Sequence, residues 1–212
     1  MCAIFGSFSK EKLLELAKLN SARGNFSYSI TSINKTTRSV IESVKGFGEF
    51  RPHFKNEGAY YICHIQAPTS ATTKEFRRIH PSRIYQDPDG NTYLWHNGVL
   101  KYEWYTKSCH YDSDLSWDTD VLHKEILLSY KNIENVDGQF SCAYLDKSGL
   151  FLFRNSEAPM FVDDEMNVSS TQFEGSHATL PGHAYEFNFE DMQFDDVWQF
   201  KCKSNEYYFG DE

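Results

Sequence analysis

The sequence of 212 residues has no long apolar run, no closely spaced pair of cysteines and no excess of basic residues. No apolar run approaches the roughly 18 residues that a membrane-spanning helix needs. The N-terminus leads into the charged stretch Lys10-Glu11-Lys12 instead of an apolar signal core, so we expect a cytoplasmic protein. The formal net charge is −9, without a basic stripe, and we therefore expect neither a membrane nor nucleic acid as a partner.

Cysteine, proline and glycine are also sparse. The five cysteines are an odd number without a C-x-x-C pair, which argues against a disulfide framework and against a zinc site of ordinary spacing. Cys63 and Cys142 lie in apolar runs and are expected to be buried. The acidic pairs Glu190-Asp191 and Asp195-Asp196 are interpreted as solvent-exposed charges. We expect a globular protein that needs no metal ion and no cofactor.

The patterns that are present predict a single α+β domain covering residues 1–212, long enough for a substantial core. Ser9 is a candidate N-cap for a helix, because apolar residues recur after it at helical spacing. Later candidates are strands at 26–30, 59–65 and 92–95, a helix from 117 to 127, a hairpin at 140–153, and strands at 160–162, 168–170 and 183–189. Strands and helices in this order are typical of a layered α+β domain.

The N-terminus carries the most distinctive chemistry. Cys2 follows Met1 directly, and its small side chain leads us to expect that Met1 is removed. One residue would then carry both a thiol and a free α-amine, and the amine has a pKa of about 8. A nucleophile with its own amine as base is an established activation scheme. The alternative is a chance cysteine at the start of a strand.

Three further motifs follow Cys2 in a specific order: Arg23-Gly24, His96-Asn97-Gly98 and Asp118-Thr119-Asp120. Together they resemble the glutaminase domain of class II glutamine amidotransferases, the N-terminal-nucleophile group that includes asparagine synthetase and glucosamine-6-phosphate synthase. The later segments Asp137-Gly138-Gln139-Phe140, Arg154 with Pro159, and Leu180-Pro181-Gly182-His183 also resemble that domain. The resemblance covers residues 1–190, which leaves 191–212 as a C-terminal extension.

The resemblance implies a four-layer αββα N-terminal-nucleophile hydrolase sandwich of two antiparallel sheets. It also implies an activity, hydrolysis of the glutamine side-chain amide by the Cys2 thiolate. The freed α-amine would take the thiol proton and pass it to ammonia. The Asn97 side-chain amide and the Gly98 backbone N–H are the implied oxyanion donors. The alternative for Asn97-Gly98 is a plain hairpin turn.

Two charged residues complete the implied glutamine pocket. Asp118 matches the acidic residue that holds the substrate α-ammonium, and its alternative role is the N-cap of the following helix. Arg23 matches an arginine beside the nucleophile, where a cation favours the thiolate. The alternative for Arg23 is a surface arginine in a turn. Thr69 also matches and is expected to line the pocket.

The sequence departs from the family pattern at two positions near the nucleophile. Ala3 stands where the family usually has glycine. Gln66 stands where the family has an arginine that grips the substrate α-carboxylate, and a neutral amide cannot replace a bidentate guanidinium pair. Either Arg77 or Arg78 supplies the charge, or neutral donors hold the carboxylate, or the substrate is not free glutamine, or turnover has been lost.

The resemblance also implies a partner, because the ammonia released in this family normally passes to an acceptor domain. We find no such domain after Glu190, so we expect a separate synthetase or ligase polypeptide as the ammonia acceptor. The alternatives are a binding or regulatory module that has lost turnover, and a hydrolase of the same type that cleaves another amide. His64 and His96 are interpreted as packed histidines, because the Cys2 amine already supplies a base.

Overall fold

The computed structural model describes residues 2–67, 76–86, 90–108 and 117–203. Within these residues the helices are α1 (Lys10–Asn20), α2 (Tyr102–Ser108) and α3 (Asp118–Leu128), with short 3-10 helices at Ser21–Arg23, Phe76–Arg78 and Tyr130–Asn135. The strands are β1 (Ala3–Ser7), β2 (Ser27–Ile33), β3 (Val40–Phe47), β4 (Tyr60–Gln66), β5 (Ser82–Gln86), β6 (Gly90–Leu100), β7 (Gly138–Leu145), β8 (Leu150–Arg154), β9 (Phe161–Val162), β10 (Val168–Ser169), β11 (His177–Ala178), β12 (His183–Asn188) and β13 (Gln193–Gln199).

These strands form two antiparallel sheets. Sheet A has seven described strands in the order β11-β9-β10-β1-β4-β2-β3, and sheet B has six in the order β13-β12-β8-β7-β6-β5. The strand β1 lies in the interior of sheet A, between β10 and β4. The strand β6 lies between β7 and the edge strand β5 in sheet B.

Three apolar layers hold the fold together. Alternate residues of a strand point to opposite faces, so Ile4 and Ile62 face the layer between the two sheets, while Phe5 and Cys63 face α1. On the far side, sheet B packs against α3 through a third cluster that contains Leu122. The two sheets therefore lie face to face between helices, which confirms the predicted α+β four-layer sandwich.

The structure confirms most of the predicted elements. Ser9 caps α1, since its hydroxyl accepts a hydrogen bond from Lys12 N at 3.1 Å. The predicted hairpin is the β7–β8 pair, and Cys63 and Cys142 are both buried. The strands β3, β5, β11 and β13 and the helix α2 were not predicted. In β3 the side chains alternate between partly buried and exposed, as is common at a sheet edge, and this weakens the apolar signal.

Two expectations about β6 are wrong. The strand was expected to stop at His96-Asn97-Gly98 and the dipeptide Asn97-Gly98 was a candidate turn, but β6 continues through both to Leu100. Gly98 has φ +154°, and a Cβ built there would lie 1.9 Å from the carbonyl oxygen of Gln139 on β7. Only glycine fits this close approach of two backbones. The glycine therefore serves strand pairing rather than a turn.

Among the described helices, none combines the length and the apolar character required to cross a bilayer. The described side chains also contain no cluster of three or more His, Cys, Asp or Glu residues arranged to hold a metal ion.

Candidate active site

Cys2 lies at the mouth of the space between the sheets, immediately before β1. The register between β1 and β4 pairs Ala3 with Ile65 and Ile4 with His64, so Cys2 comes next to Gln66 at the end of β4. Cys2 is half-buried, and its thiol donates to the carbonyl oxygen of Ala67 at an Sγ–O distance of 3.7 Å. The thiol and the Gln66 side chain therefore share one end of sheet A.

The Cys2 thiol is protonated at neutral pH. Burial raises its pKa to about 11, and the nearby Asp118 carboxylate acts in the same direction. The Arg23 guanidinium lowers the pKa, as expected from the sequence, but burial outweighs it. Chemistry at Cys2 therefore needs a base that removes the thiol proton during the reaction.

Arg23 contacts the residue that carries the thiol. It ends the 3-10 helix Ser21–Arg23 that follows α1, and its Nε donates to the carbonyl oxygen of Cys2 at 2.9 Å. The side chain is half-buried and bonded to the main chain of Cys2, which favours the predicted place beside the nucleophile over a fully exposed arginine. A Cβ on the next residue, Gly24, would lie 2.6 Å from the backbone carbon of Gln66. This close packing seats Arg23 against the ends of both β1 and β4.

The last part of β6 presents a free edge toward the site. The pairing of β5 with β6 ends at Leu94, and no described strand continues it. In an antiparallel strand the N–H and C=O groups of alternate residues point to opposite edges, so His96, Gly98 and Leu100 share the free edge. At its end, Leu100 N donates to Asp118 Oδ2 at 3.4 Å. The Gly98 N–H therefore points to the same side as the Asp118 carboxylate.

The Asn97 side chain leaves β6 in a different direction, across the space between the sheets. Its Nδ2 donates to Ser141 Oγ at 3.3 Å and to Ser170 Oγ at 3.2 Å. Ser170 Oγ in turn accepts from the backbone N–H of Ile4, two residues after Cys2, at 2.9 Å. The two serines were not singled out from the sequence, because nothing in their local pattern distinguishes them. They connect the Asn97 amide to β1.

Asp118 is the first residue of α3. The N-cap is Trp117, and no side chain makes a capping hydrogen bond there, so the interpretation of Asp118 as the N-cap is wrong. Its carboxylate instead accepts from Leu100 N and lies near enough to Cys2 to raise the pKa of the thiol. Asp118 thus places a negative charge between the free edge of β6 and the thiol.

Gln66 is nearly buried beside Cys2. Its Oε1 accepts a hydrogen bond from Ser27 Oγ, on the adjacent strand β2, at 2.8 Å. The contact is neutral and fixes the orientation of the Gln66 amide. The site therefore has an amide where the family pattern has a guanidinium.

The remaining predicted pocket residues are Arg77, Arg78 and Thr69. Arg78 is half-buried in the 3-10 helix Phe76–Arg78, and its part in the pocket stays a prediction. The side chain of Arg77 and all of Thr69 lie outside the described residues.

The histidines near the site are packed, as expected. His64 and His96 are buried, and burial lowers the pKa of each imidazole, that of His64 to about 3. A third buried histidine, His80, was not singled out from the sequence because it lies in a polar stretch before β5. His96 contacts α3 and β7, with Nδ1 3.1 Å from Thr119 Oγ1 and Nε2 3.4 Å from the carbonyl oxygen of Gln139.

No protein-family model and no curated protein sequence matches the chain. Solved structures do. The glutamine phosphoribosylpyrophosphate (PRPP) amidotransferase from B. subtilis, complexed with ADP and GMP, superposes with a TM-score of 0.68 at 18% identity, over 92% of this chain and 49% of that chain. A structure described as the allosteric regulatory enzyme of purine biosynthesis gives a TM-score of 0.67 at 18% identity, with the same coverage.

The chain spans about half the length of these solved structures. At 18% identity the likeness concerns the fold. The two face-to-face antiparallel sheets agree with this fold. The chain therefore has the αββα N-terminal-nucleophile hydrolase fold of the glutamine PRPP amidotransferase, the fold that its N-terminal motifs predict.

Proposed function

We propose that the chain is a glutaminase-type amidotransferase domain that hydrolyses the side-chain amide of glutamine through Cys2. The observation that carries this proposal is the position of the Cys2 thiol. It lies between Arg23, whose Nε bonds the Cys2 carbonyl, and the Asp118 carboxylate, which borders the free edge of β6. We infer from this position that the nucleophile, the oxyanion donors and the anchor for the substrate ammonium group serve one substrate.

Removal of Met1 makes the Cys2 α-amine the base of the reaction. The amine takes the thiol proton, and the thiolate attacks the amide carbon of glutamine to form a tetrahedral oxyanion. The Gly98 N–H and the Asn97 amide donate to this oxygen. Collapse of the intermediate breaks the C–N bond, and the proton held by the amine leaves with ammonia. Water then hydrolyses the Cys2 thioester to release glutamate.

The resting contacts of Asn97 suit this cycle. Both of its N–H groups are held by serine hydroxyls at distances above 3.1 Å, longer than the usual length of a strong hydrogen bond. A negatively charged oxygen is a better acceptor than a neutral hydroxyl, since charge-assisted hydrogen bonds are about twice as strong. The Asn97 amide therefore gains more from the transition state than from its resting partners.

The ammonia acceptor is proposed to be a separate synthetase or ligase polypeptide. The proposal rests on the resemblance to class II glutamine amidotransferases, in which the released ammonia passes to an acceptor. The described cysteines Cys2, Cys63, Cys142 and Cys202 are all free, which suits a reducing compartment such as the cytoplasm.

The experiment that tests the function is the intact mass of the protein before and after exposure to a diazo-ketone analogue of glutamine. We expect loss of Met1 and a single adduct. The adduct should be absent from Cys2→Ala and present in Cys202→Ala, which removes another half-buried thiol. Retention of Met1, or an adduct that survives in Cys2→Ala, would contradict the mechanism. If protein from the native source is fully active but carries no second polypeptide, the partner is refuted.

Gln66 favours a second candidate substrate, glutamine whose α-carboxyl is itself in amide linkage, as at the N-terminus of a peptide. Ser27 donates to the Gln66 Oε1, and we infer that the neutral Nε2 faces the substrate. A neutral donor suits a neutral carbonyl, whereas a free carboxylate favours a guanidinium. Asp118 would hold the α-ammonium of either substrate.

Gln66→Arg separates the two candidate substrates. We expect the variant to raise kcat/KM for free glutamine relative to glutamine α-amide by about 10-fold to 100-fold, because a charge-assisted hydrogen bond contributes about 1.5 to 3 kcal/mol. Gln66→Met, which has a similar length and no donor, is the matched control and should lower kcat/KM for both substrates. Ammonia release from each substrate is the measurement. An unchanged ratio in Gln66→Arg would show that this side chain does not face the α-carboxyl.

A further inference from the structure

Two buried histidine side chains hold the free edge of β6. The backbone N–H of His96 donates to His80 Nδ1 at 3.2 Å, and His64 Nε2 donates to the carbonyl oxygen of His96 at 3.1 Å. The two rings stack with their centroids 3.8 Å apart and an angle of 33° between their planes. We call His64 and His80 the histidine clamp. It supplies to His96 the pair of hydrogen bonds that a neighbouring strand would otherwise make.

The clamp works only with neutral histidines. His80 Nδ1 accepts a hydrogen bond, so that nitrogen carries no proton, while His64 Nε2 must carry one to donate to a carbonyl. Burial lowers the pKa of His64 to about 3 and that of His80 well below its ordinary value. Both rings are therefore neutral near pH 7, and each has one tautomer that satisfies His96.

The clamp joins the two sheets at the site. His64 belongs to β4 in sheet A, two residues before Gln66. His80 lies just before β5 of sheet B, and Lys45 of β3 donates to the carbonyl oxygen of the next residue, Pro81, at 2.9 Å. Sheet A thus reaches the free edge of β6 through His64 directly and through Lys45 by way of the loop that carries His80.

We propose that His64 and His80 are positioning residues that set the Asn97 and Gly98 donors against the Cys2 thiol. This inference rests on the proposed function. The clamp grips the residue immediately before Asn97, on the same edge from which the Gly98 N–H points. Cys2 lies on sheet A and both donors lie on sheet B, so the distance between nucleophile and donors depends on contacts that join the sheets. Misplacement of a reacting group by about 1 Å can lower the rate by about 100-fold.

Replacing each histidine once by asparagine and once by glutamine distinguishes a positioning role from a purely structural one. A glutamine places its amide nitrogen near the position of a histidine Nε2, whereas an asparagine is one methylene shorter and places its oxygen near that of a histidine Nδ1. His64→Gln and His80→Asn therefore keep the donor and the acceptor of the clamp. His64→Asn and His80→Gln do not. All four variants bury one amide. If the histidines had a purely structural role, the asparagine and glutamine variants of one histidine should therefore have the same kcat.

The measurement is kcat and KM for glutamine hydrolysis, alongside thermal unfolding. We expect His64→Gln and His80→Asn to keep kcat within about threefold, and His64→Asn and His80→Gln to lower it by about 10-fold to 100-fold with little change in KM. His123→Asn is the control. His123 is fully buried and bonds Ser82 and Thr92 at 2.9 Å, so its loss should lower the melting temperature and leave kcat unchanged.

Equal kcat values for the asparagine and glutamine variants of each histidine, or a change confined to KM, would overturn the inference. Hydrogen exchange of the His96 amide, followed by NMR, gives a readout that needs no turnover. Exchange should be faster in His80→Gln than in His80→Asn, and equal rates would also overturn the clamp. Failure of the proposed function gives a different result, since the wild-type protein itself would then hydrolyse no glutamine. In that case the exchange rates of the His96 amide would decide whether the clamp holds the edge of β6.

Discussion

Replacing Cys2 with alanine is expected to lower kcat/KM for glutamine hydrolysis by at least about 10⁴-fold, the scale on which loss of a covalent nucleophile acts in other hydrolases. The reason is that no other described thiol lies at the site. Cys63 and Cys142 are fully buried in separate apolar layers, and Cys202 packs beside the cluster between sheet B and α3. Ammonia release under saturating and limiting glutamine measures the effect.

The pH profile of the wild-type protein distinguishes the amine from the thiol as the controlling group. The thiol pKa is raised to about 11, so few molecules carry a resting thiolate at physiological pH. If the α-amine is the base, kcat/KM should increase as the pH rises through the amine pKa of about 8 and then level off. An increase that continues to pH 11 would indicate that ionisation of the thiol controls the rate instead. Cys202→Ala should follow the wild-type profile.

Replacing Asn97 with alanine is expected to lower kcat by about 10²-fold to 10³-fold, as removal of one oxyanion donor does elsewhere. KM should change little, because the ground-state carbonyl is a weaker acceptor than the oxyanion. The Asn97 amide nitrogen donates to Ser141 and Ser170 at rest, so its loss breaks two neutral hydrogen bonds. Steady-state kinetics with glutamine separate the two parameters.

Two further variants control for the burial of Asn97. Asn97→Asp keeps the shape but offers no donor and adds a carboxylate that repels the oxyanion, so its kcat should be no higher than that of the alanine variant. Asn167→Ala removes another buried asparagine, which accepts from Ser7 Oγ at the far end of β1, and should reduce stability while leaving kcat unchanged. If Asn167→Ala and Asn97→Ala lower kcat alike, the loss reflects the fold and not an oxyanion donor.

The sequence alone determined the fold class and singled out Cys2 as the candidate nucleophile. A cysteine after Met1, followed by Arg23-Gly24, His96-Asn97-Gly98 and Asp118 in that order, predicted the sandwich that the strand pairing displays. The alternation of apolar residues likewise predicted β4 and the β7–β8 hairpin. These features can be predicted because strand periodicity and the order of motifs are properties of the sequence itself.

Only the tertiary structure decided how the candidate donors are held. The dipeptide Asn97-Gly98 favours a turn as a sequence. It lies in a strand because β7 pairs with it through Ser141 and Phe140. No described strand pairs with the edge on which Gly98 lies, because β5 stops pairing at Leu94, and the histidines that bond to this edge come from a different sheet and a distant loop. Contacts between residues far apart in the chain have no local pattern, so they become visible only when the two sheets are packed together.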